Sequence, residues 1–223
     1  MIPIALTRSV RGLRLALLLL LPYAVPAQEH PPRLLEKGSW DIGVWIAGAT
    51  GEENRNSFTE AQIWSAGVFV GKVVTGEVGT SWLRGNLEYG FNLVPIFVTN
   101  KTERVYGGGF EPVVVRWISN HQFGRVAPYI ELAGGTLFTT SNLPPGDTSS
   151  LNFTARGGGG IHIFTKRPRS MDLACRWFHV SNANLGVRNP EFNGVQVTLG
   201  GFKVPSSICR PPNRKLRPCL AKS

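Results

Sequence analysis

The segment RWFHVSNANLGVRNPEFNG, which covers residues 176–194, places His179 and Ser181 two positions apart. If this segment is a β-strand, both side chains lie on one face, with Cα atoms about 6.6 Å apart and within hydrogen-bonding reach. An imidazole in that position can accept the serine proton as a general base. The spacing therefore predicts a hydrolytic nucleophile and its base. The alternative interpretation is a polar pair with a structural role where a strand ends.

The strand face that His179 and Ser181 share is otherwise mostly apolar. The alternate positions that precede them are Met171, Leu173, Cys175 and Trp177. An unpartnered imidazole and hydroxyl are costly on such a face, above all if it meets lipid, and polar groups in that position are candidates for function. These surroundings favour the catalytic interpretation of the pair.

The rest of the chain predicts the strands that would hold this segment. Almost no stretch shows a helical period, whereas alternating hydrophobicity between turn-rich segments is common. We place eight strands near 40–49, 61–74, 79–93, 106–119, 126–138, 150–164, 170–181 and 193–204. The sequence therefore predicts an all-β fold, an eight-stranded antiparallel barrel without a second domain.

The two faces of these strands differ in charge, and the difference bears on whether the barrel spans a membrane. A membrane barrel turns its apolar face to lipid and encloses the charged one, here Arg84, Glu88, Glu131, Arg156, Asp172 and Arg176. Strands of about ten residues or more suit a tilted bilayer crossing. Aromatic residues near strand ends suit the membrane interface; they are Trp40, Tyr89, Phe91, Phe138 and Trp177. With the export signal described next, these features predict a transmembrane, outer-membrane β-barrel, too narrow for a pore.

The two ends of the chain account for its formal charge of +10. Residues 1–27 combine three arginines with the apolar run LALLLLL and predict a secretory signal cleaved before Gln28. Six more basic residues lie from Lys203 onward, so the 24 basic residues of the chain leave 15 for the body against 14 acidic ones. We expect a barrel domain over 28–204, followed by a basic, disordered tail over 205–223. A nearly neutral body argues against nucleic acid as a partner.

The three cysteines and the glycine run predict neither a metal site nor a cofactor. Cys209 and Cys219 lie close together in the tail, where a disulfide is one outcome, and we expect Cys175 to be a small buried hydrophobe. The run RGGGGIHIF, residues 156–164, precedes neither a Lys-Ser/Thr pair nor a helix, so it does not predict a phosphate-binding loop.

Two long segments carry a resemblance to a known family. SLNFTARGGGGIHIF, followed by MDLACRWFHVSNANLGVRNPEFNGVQVTLGGFKV, resembles the lipid A 3-O-deacylase (PagL) family of outer-membrane enzymes, and APYIELAGG and PIFV fit its earlier strands. The resemblance implies an eight-stranded barrel that hydrolyses an ester-linked acyl chain of lipid A. It implies Ser181 as nucleophile, His179 as base and Asn182 as a residue that helps to hold the oxyanion.

The chain departs from that family at the residue that orients the histidine. Counting forward from His179, Asn193 stands where the best-known members have glutamate, and Glu191 is the alternative orienting residue. Asn184 replaces a glycine expected near the oxyanion site, although a backbone N–H needs no particular side chain. Such barrels usually end on an aromatic residue, whereas 21 residues follow Phe202 here.

The expected partners are lipid A or lipopolysaccharide as substrate and outer-membrane lipid as surroundings. No metal or organic cofactor is expected, and a homodimer stays open. Two other functions also stay open. One is a catalytically inactive outer-membrane barrel with a structural or lipid-binding role, which the Asn193 replacement favours. The other is a soluble periplasmic barrel that binds a small apolar ligand, which the tail favours.

Overall fold

The computed structural model describes residues 36–51, 61–100, 104–165 and 169–203, which form a closed antiparallel barrel. Its strands are β1 (Trp40–Gly51), β2 (Gln62–Val73), β3 (Gly85–Asn100), β4 (Arg104–Ser119), β5 (Val126–Leu143), β6 (Ser149–Phe164), β7 (Arg169–Ser181) and β8 (Phe192–Lys203). Each strand pairs with its neighbours in sequence, and β8 pairs with β1 to close the ring. The predicted eight-stranded barrel is confirmed. The predicted signal and tail lie outside the described residues.

The outer wall of the barrel is apolar and its interior is polar. On β5, Ile130 and Leu132 point outward with 64% and 69% of their surface exposed, whereas Glu131 between them is 2% exposed. This pattern is the reverse of a soluble protein and is that of a barrel whose wall meets lipid. No helix among the described residues is long and apolar enough to cross a bilayer.

The outward face of β7 corrects one prediction. Cys175 lies on that face and is exposed, so the expectation that it would be buried is wrong. The reason is the strand period: the apolar face to which Cys175 belongs is the outer one. By the same period His179 and Ser181 lie on the outer wall, as the alternation predicts, and both are half-buried.

The interior is held by an ion-pair network centred on Glu131. Its carboxylate receives Arg116 Nε at 2.6 Å and Arg176 Nε at 2.9 Å, with Arg156 Nε at 3.5 Å. Arg156 also pairs with Glu111. All five side chains are buried, so each charge is compensated by its neighbours rather than by water.

Further polar groups, buried or half-buried, extend this network towards the rim at which β1 begins. Arg116 reaches Glu88 at 3.4 Å and Asp41 at 3.9 Å, and His162 Nδ1 lies 3.3 Å from Asp172 Oδ2. The prediction that charges would gather inside the barrel is confirmed for Glu88, Glu131, Arg156, Asp172 and Arg176. Arg116 and Glu111 were not among the predicted interior charges.

The position of Arg84 contradicts the prediction that it lies inside. The third strand begins at Gly85 rather than near residue 79, and a 3₁₀ turn over Ser81–Leu83 precedes it. Arg84 is therefore in the connection after β2, where its Nε pairs with Glu77 at 2.7 Å and both side chains are about half exposed. The alternation continued by chance into a turn, which sequence period alone does not distinguish from a strand.

The glycine run of β6 makes room for interior side chains. A Cβ on Gly160 would lie 2.5 Å from the Tyr129 ring, which no packing tolerates. This close approach is the structural role that glycine in a strand usually indicates.

Candidate active site

Ser181 and His179 are hydrogen-bonded on the outer wall near one rim of the barrel. Because they are alternate residues of β7, the extended backbone points both side chains to the same side. His179 Nε2 lies 2.9 Å from Ser181 Oγ, a distance that fits a hydrogen bond. The structure thus brings together the two residues that the sequence predicts as nucleophile and base.

Asn193 contacts the other nitrogen of the imidazole. In the β7–β8 register, His179 is directly opposite Asn193, and His179 Nδ1 lies 2.8 Å from Asn193 Oδ1. An amide oxygen only accepts hydrogen bonds, so Nδ1 must carry a proton in this arrangement. That tautomer leaves Nε2 of a neutral ring free to accept the hydroxyl hydrogen of Ser181.

Glu191 contacts Asn193 and not the histidine. Asn193 Nδ2 lies 3.4 Å from Glu191 Oε2, a long hydrogen bond between residues two apart at the start of β8. The sequence offered Asn193 and Glu191 as alternatives for orienting His179; in the structure they stand in series. The sequence signal for this arrangement was the spacing of Glu191 and Asn193, because residues two positions apart lie on the same face of a strand.

Trp177 stacks against the imidazole from the same face of β7. The ring centroids of Trp177 and His179 are 5.5 Å apart and the planes are inclined by 18°. The alternation placed Trp177 on the face of His179 and at the membrane interface, but gave it no contact with the imidazole. Its position two residues before His179 was the signal that it lies beside the ring. The stacked indole covers one face of the imidazole. An indole face also attracts the cation that forms when the imidazole gains a proton.

The connection after Ser181 is built around Asn182. This residue is buried, its Nδ2 donates to the Arg188 carbonyl at 2.8 Å, and its Oδ1 accepts the Asn184 N–H at 2.9 Å. Its own N–H donates to Asn189 Oδ1 at 2.9 Å. The Asn182 side chain is therefore occupied within the loop. The backbone N–H of Ala183, two residues after Ser181, has no hydrogen-bond partner among the described residues.

The loop from Asn182 to Pro190 has a defined shape and is tied to the neighbouring loop. Ala183 and Asn184 both adopt left-handed backbone conformations, with φ of 49° and 63°. Gly186 lies so close to Thr148, in the β5–β6 connection, that a Cβ would come within 2.6 Å of its backbone. Arg188 N donates to the Asp147 carbonyl at 2.8 Å. These contacts hold the chain on the open side of Ser181 in place.

The four side chains form one hydrogen-bonded series, Ser181–His179–Asn193–Glu191, open to the outer wall. Such a series can deprotonate a hydroxyl for attack on a carbonyl carbon. Among the residues that the structure describes, no cluster of His, Cys, Asp or Glu is arranged to hold a metal ion.

The sequence profile of the lipid A 3-O-deacylase (PagL) family matches residues 58–201, more than half of the chain, including the site residues just described. The chain belongs to the lipid A 3-O-deacylase family. No curated protein matches this sequence significantly. The family assignment therefore rests on the sequence profile of the family.

A solved structure has the same fold. The crystal structure of the outer membrane enzyme PagL superposes with a TM-score of 0.51 at 15% sequence identity, covering 72% of this chain and 97% of that one. At so low an identity the likeness concerns the fold alone. The outer membrane protein OprG from Pseudomonas aeruginosa matches with a TM-score of 0.45 and 10% identity, covering 75% of this chain and 96% of that one.

Proposed function

We propose that this protein is an outer-membrane serine esterase that hydrolyses an ester-linked acyl chain of lipid A. The observation that carries the proposal is the hydrogen-bonded series from Ser181 through His179 to Asn193 on the apolar outer wall. Family membership supports the choice of substrate, since the family is described as lipid A 3-O-deacylase.

In the first half of the proposed reaction, Ser181 becomes acylated. Its Oγ attacks the ester carbonyl carbon while its proton passes to His179 Nε2. The tetrahedral intermediate then collapses, the bond between the carbonyl carbon and the sugar oxygen breaks, and Nε2 returns the proton to that oxygen. The products of this half are the deacylated sugar hydroxyl and an acyl ester on Ser181.

In the second half, water takes the place of the sugar oxygen. His179 Nε2 accepts a proton from the water as it attacks the acyl ester, and then returns a proton to Ser181 Oγ as the fatty acid leaves. Asn193 fixes the imidazole in both halves, because its Oδ1 accepts a hydrogen bond from the Nδ1–H group. No group beyond the protein, the lipid and water enters the balance.

The oxyanion of each intermediate is proposed to lie over the loop that begins at Asn182. The amide of Asn182 shapes this loop rather than pointing a free donor outward, and the N–H of Asn184 is bound to it. The N–H of Ala183 remains available as the donor. Backbone N–H groups held in place by a rigid loop are effective in this role because they need no rearrangement during the reaction.

The position of the site along the barrel suits a lipid substrate. Ser181 ends β7, at the rim opposite to the start of β1 at Trp40 and the end of β8 at Lys203. In an outer-membrane barrel with an even number of strands, the chain ends face the periplasm, so this rim faces outward. Lipid A in the outer leaflet would then reach Ser181 by lateral diffusion, with no need to enter the barrel.

The test is mass spectrometry of intact lipid A incubated with the purified barrel in detergent. We expect the wild-type protein to release fatty acid, and Ser181→Ala and His179→Ala to insert normally but to release it at least about a thousandfold more slowly. Ser141→Ala is the matched control, because Ser141 is an exposed serine at the same rim, on β5. A wild-type barrel that leaves every acyl chain in place would favour the catalytically inactive alternative.

A further inference from the structure

The amide of Asn193 lies between a histidine and a carboxylate that make opposite demands on it. Its Oδ1 is 2.8 Å from His179 Nδ1, and its Nδ2 is 3.4 Å from Glu191 Oε2. An asparagine side chain can turn over and exchange these two ends, which occupy nearly the same space. The two orientations are not equivalent for the chemistry at His179.

Each amide orientation selects a different imidazole tautomer. With Oδ1 towards the ring, Nδ1 carries the proton and Nε2 is free to accept the proton of Ser181. With Nδ2 towards the ring, the amide donates to Nδ1, and a neutral ring then carries its proton on Nε2. In that form the imidazole cannot act as a base for Ser181, and a wrongly held tautomer costs a serine hydrolase about 10⁴ in kcat. A carboxylate at position 193 would not present this ambiguity, because both its oxygens accept.

We propose that Glu191 is a positioning residue that sets the amide orientation of Asn193 and thereby the tautomer of His179. A carboxylate accepts hydrogen bonds and donates none, so it favours Nδ2 on its side and repels Oδ1. Glu191 acts on the ring through Asn193. In the same way, residues that hydrogen-bond to metal-binding histidines fix the orientation of those histidines. The chain thus replaces one carboxylate next to the imidazole by an amide with a carboxylate behind it.

Loop packing supports a fixed place for Glu191. It follows Pro190, whose ring restricts the backbone, and it is half-buried beside Asn193 at the start of β8. Its neighbour Phe192 is completely buried inside the barrel and stacks edge-on with Phe178 at 6.1 Å. The carboxylate is therefore carried on a backbone that is anchored on both sides.

The first arm of the test measures acyl release from lipid A and rests on the proposed function. Glu191→Gln keeps the shape of the side chain but can present either its oxygen or its NH₂ group to Asn193. We therefore expect about a tenfold loss of rate. In an Asn193→Asp background the same substitution should have no effect or raise the rate, since two carboxylates would otherwise face each other. Glu77→Gln, which alters an exposed carboxylate at the opposite rim, is the matched control and should leave the rate unchanged.

The second arm reads the tautomer without any substrate. ¹⁵N spectra of histidine-labelled full-length protein in micelles, recorded in alkaline buffer, distinguish the protonated nitrogen of a neutral ring. The signals of His179 are assigned by their absence from His179→Ala. We expect the Nδ1–H form in the wild-type protein, and a mixture of both tautomers in Glu191→Gln.

The two arms separate this inference from the proposed function. If wild type releases no acyl chain but Glu191→Gln shifts the tautomer, the positioning role stands and the proposed function fails. If Ser181→Ala abolishes release while Glu191→Gln keeps full rate and an unchanged Nδ1–H signal, the positioning role is overturned and the esterase stands. An equal loss of rate from Glu191→Gln in both the Asn193 and the Asp backgrounds would also overturn it, because a general structural role predicts that result.

Discussion

Asn193 gives His179 orientation without charge. A carboxylate in contact with the ring would both fix the tautomer and stabilise the imidazolium formed as the nucleophile attacks, whereas a neutral amide performs mainly the first task. Trp177 compensates in part, since its indole face lies parallel to the imidazole and attracts a cation. In the proposed mechanism, Asn193, Trp177 and Glu191 thus share the roles that one acidic residue often combines.

Removing the amide of Asn193 should free the ring. We expect Asn193→Ala to lower acyl release from lipid A by about tenfold or more, because the variant lacks the Oδ1 that lies 2.8 Å from His179 Nδ1 and accepts its hydrogen bond. The measurement is the initial rate of fatty-acid release from intact lipid A in micelles. Asn142→Ala is the control, since Asn142 lies near the same rim and its amide donates to the Gly146 carbonyl in the turn after β5.

Restoring a carboxylate provides the complementary result. Asn193→Asp should match or exceed the wild-type rate, most clearly when combined with Glu191→Gln, because a negative charge beside the ring stabilises the imidazolium. Full activity in Asn193→Ala would contradict the orienting role and leave the hydrogen bond to His179 without a catalytic purpose.

At the scale of the strands, the interior network ties four of them together. Glu131 on β5 is approached by arginines from β4, β6 and β7, and it is fully enclosed. Removing one partner of a buried ion pair leaves the other charge buried without compensation. This change destabilises a protein much more than replacing the whole pair by apolar residues does.

Glu131→Gln should therefore destabilise the barrel by about 3 kcal/mol or more in the free energy of unfolding. The measurement is urea-induced unfolding in micelles, followed by tryptophan fluorescence. Glu77→Gln removes an exposed pair with Arg84 and should cost at most about 1 kcal/mol. Equal losses in the two variants would show that the interior arginines are not held by Glu131.

The strand period explains which parts of this architecture could be predicted. Alternation located all eight strands and placed His179 and Ser181 together on one face, since both are local properties of a single strand. It failed at Arg84, where alternation ran on into a turn, and at Cys175, where an apolar face was taken for a buried one. Each error arose because a hydrophobic pattern does not show where a strand begins, or whether its apolar face meets the barrel interior or the lipid.

The remaining site contacts depend on information that lies between strands. Asn193 reaches His179 because the β7–β8 register sets them opposite, and a shift of one residue would turn Asn193 inward. The sequence offered two candidates for the orienting residue and could not show that they act in series. The loop that Asn182 shapes contains two left-handed residues, Ala183 and Asn184. Asparagine is enriched in that conformation, but alanine gives no sequence signal for it.

The outer wall of the barrel bears on its stability and, in the proposed function, on the access of the substrate. The wall presents large apolar side chains on each strand, and the site opens onto it rather than into the interior. A soluble barrel with a ligand inside would require the opposite arrangement.

A charge on the wall tests this arrangement. Leu132→Arg, near the middle of β5, should destabilise the barrel in a bilayer by about 2–4 kcal/mol, the cost of placing arginine at the membrane midplane. Unfolding in lipid vesicles measures the change. Val187→Arg is the control, because Val187 is 90% exposed in the loop after β7 and should tolerate the charge. A stable, vesicle-inserted Leu132→Arg barrel would mean that this part of the wall does not face hydrocarbon.

The last strand has two tasks, and their coincidence bears on when the protein can act. β8 seals the ring by pairing with β1, and it also carries Asn193 to His179. A two-stranded hairpin alone is only marginally stable, so β7 and β8 hold their register durably only once the ring is sealed. We expect a nascent chain in transit to possess the serine and the histidine without a competent base. Hydrolysis would then begin only after the barrel has been assembled, which would protect lipid A from the unfinished chain.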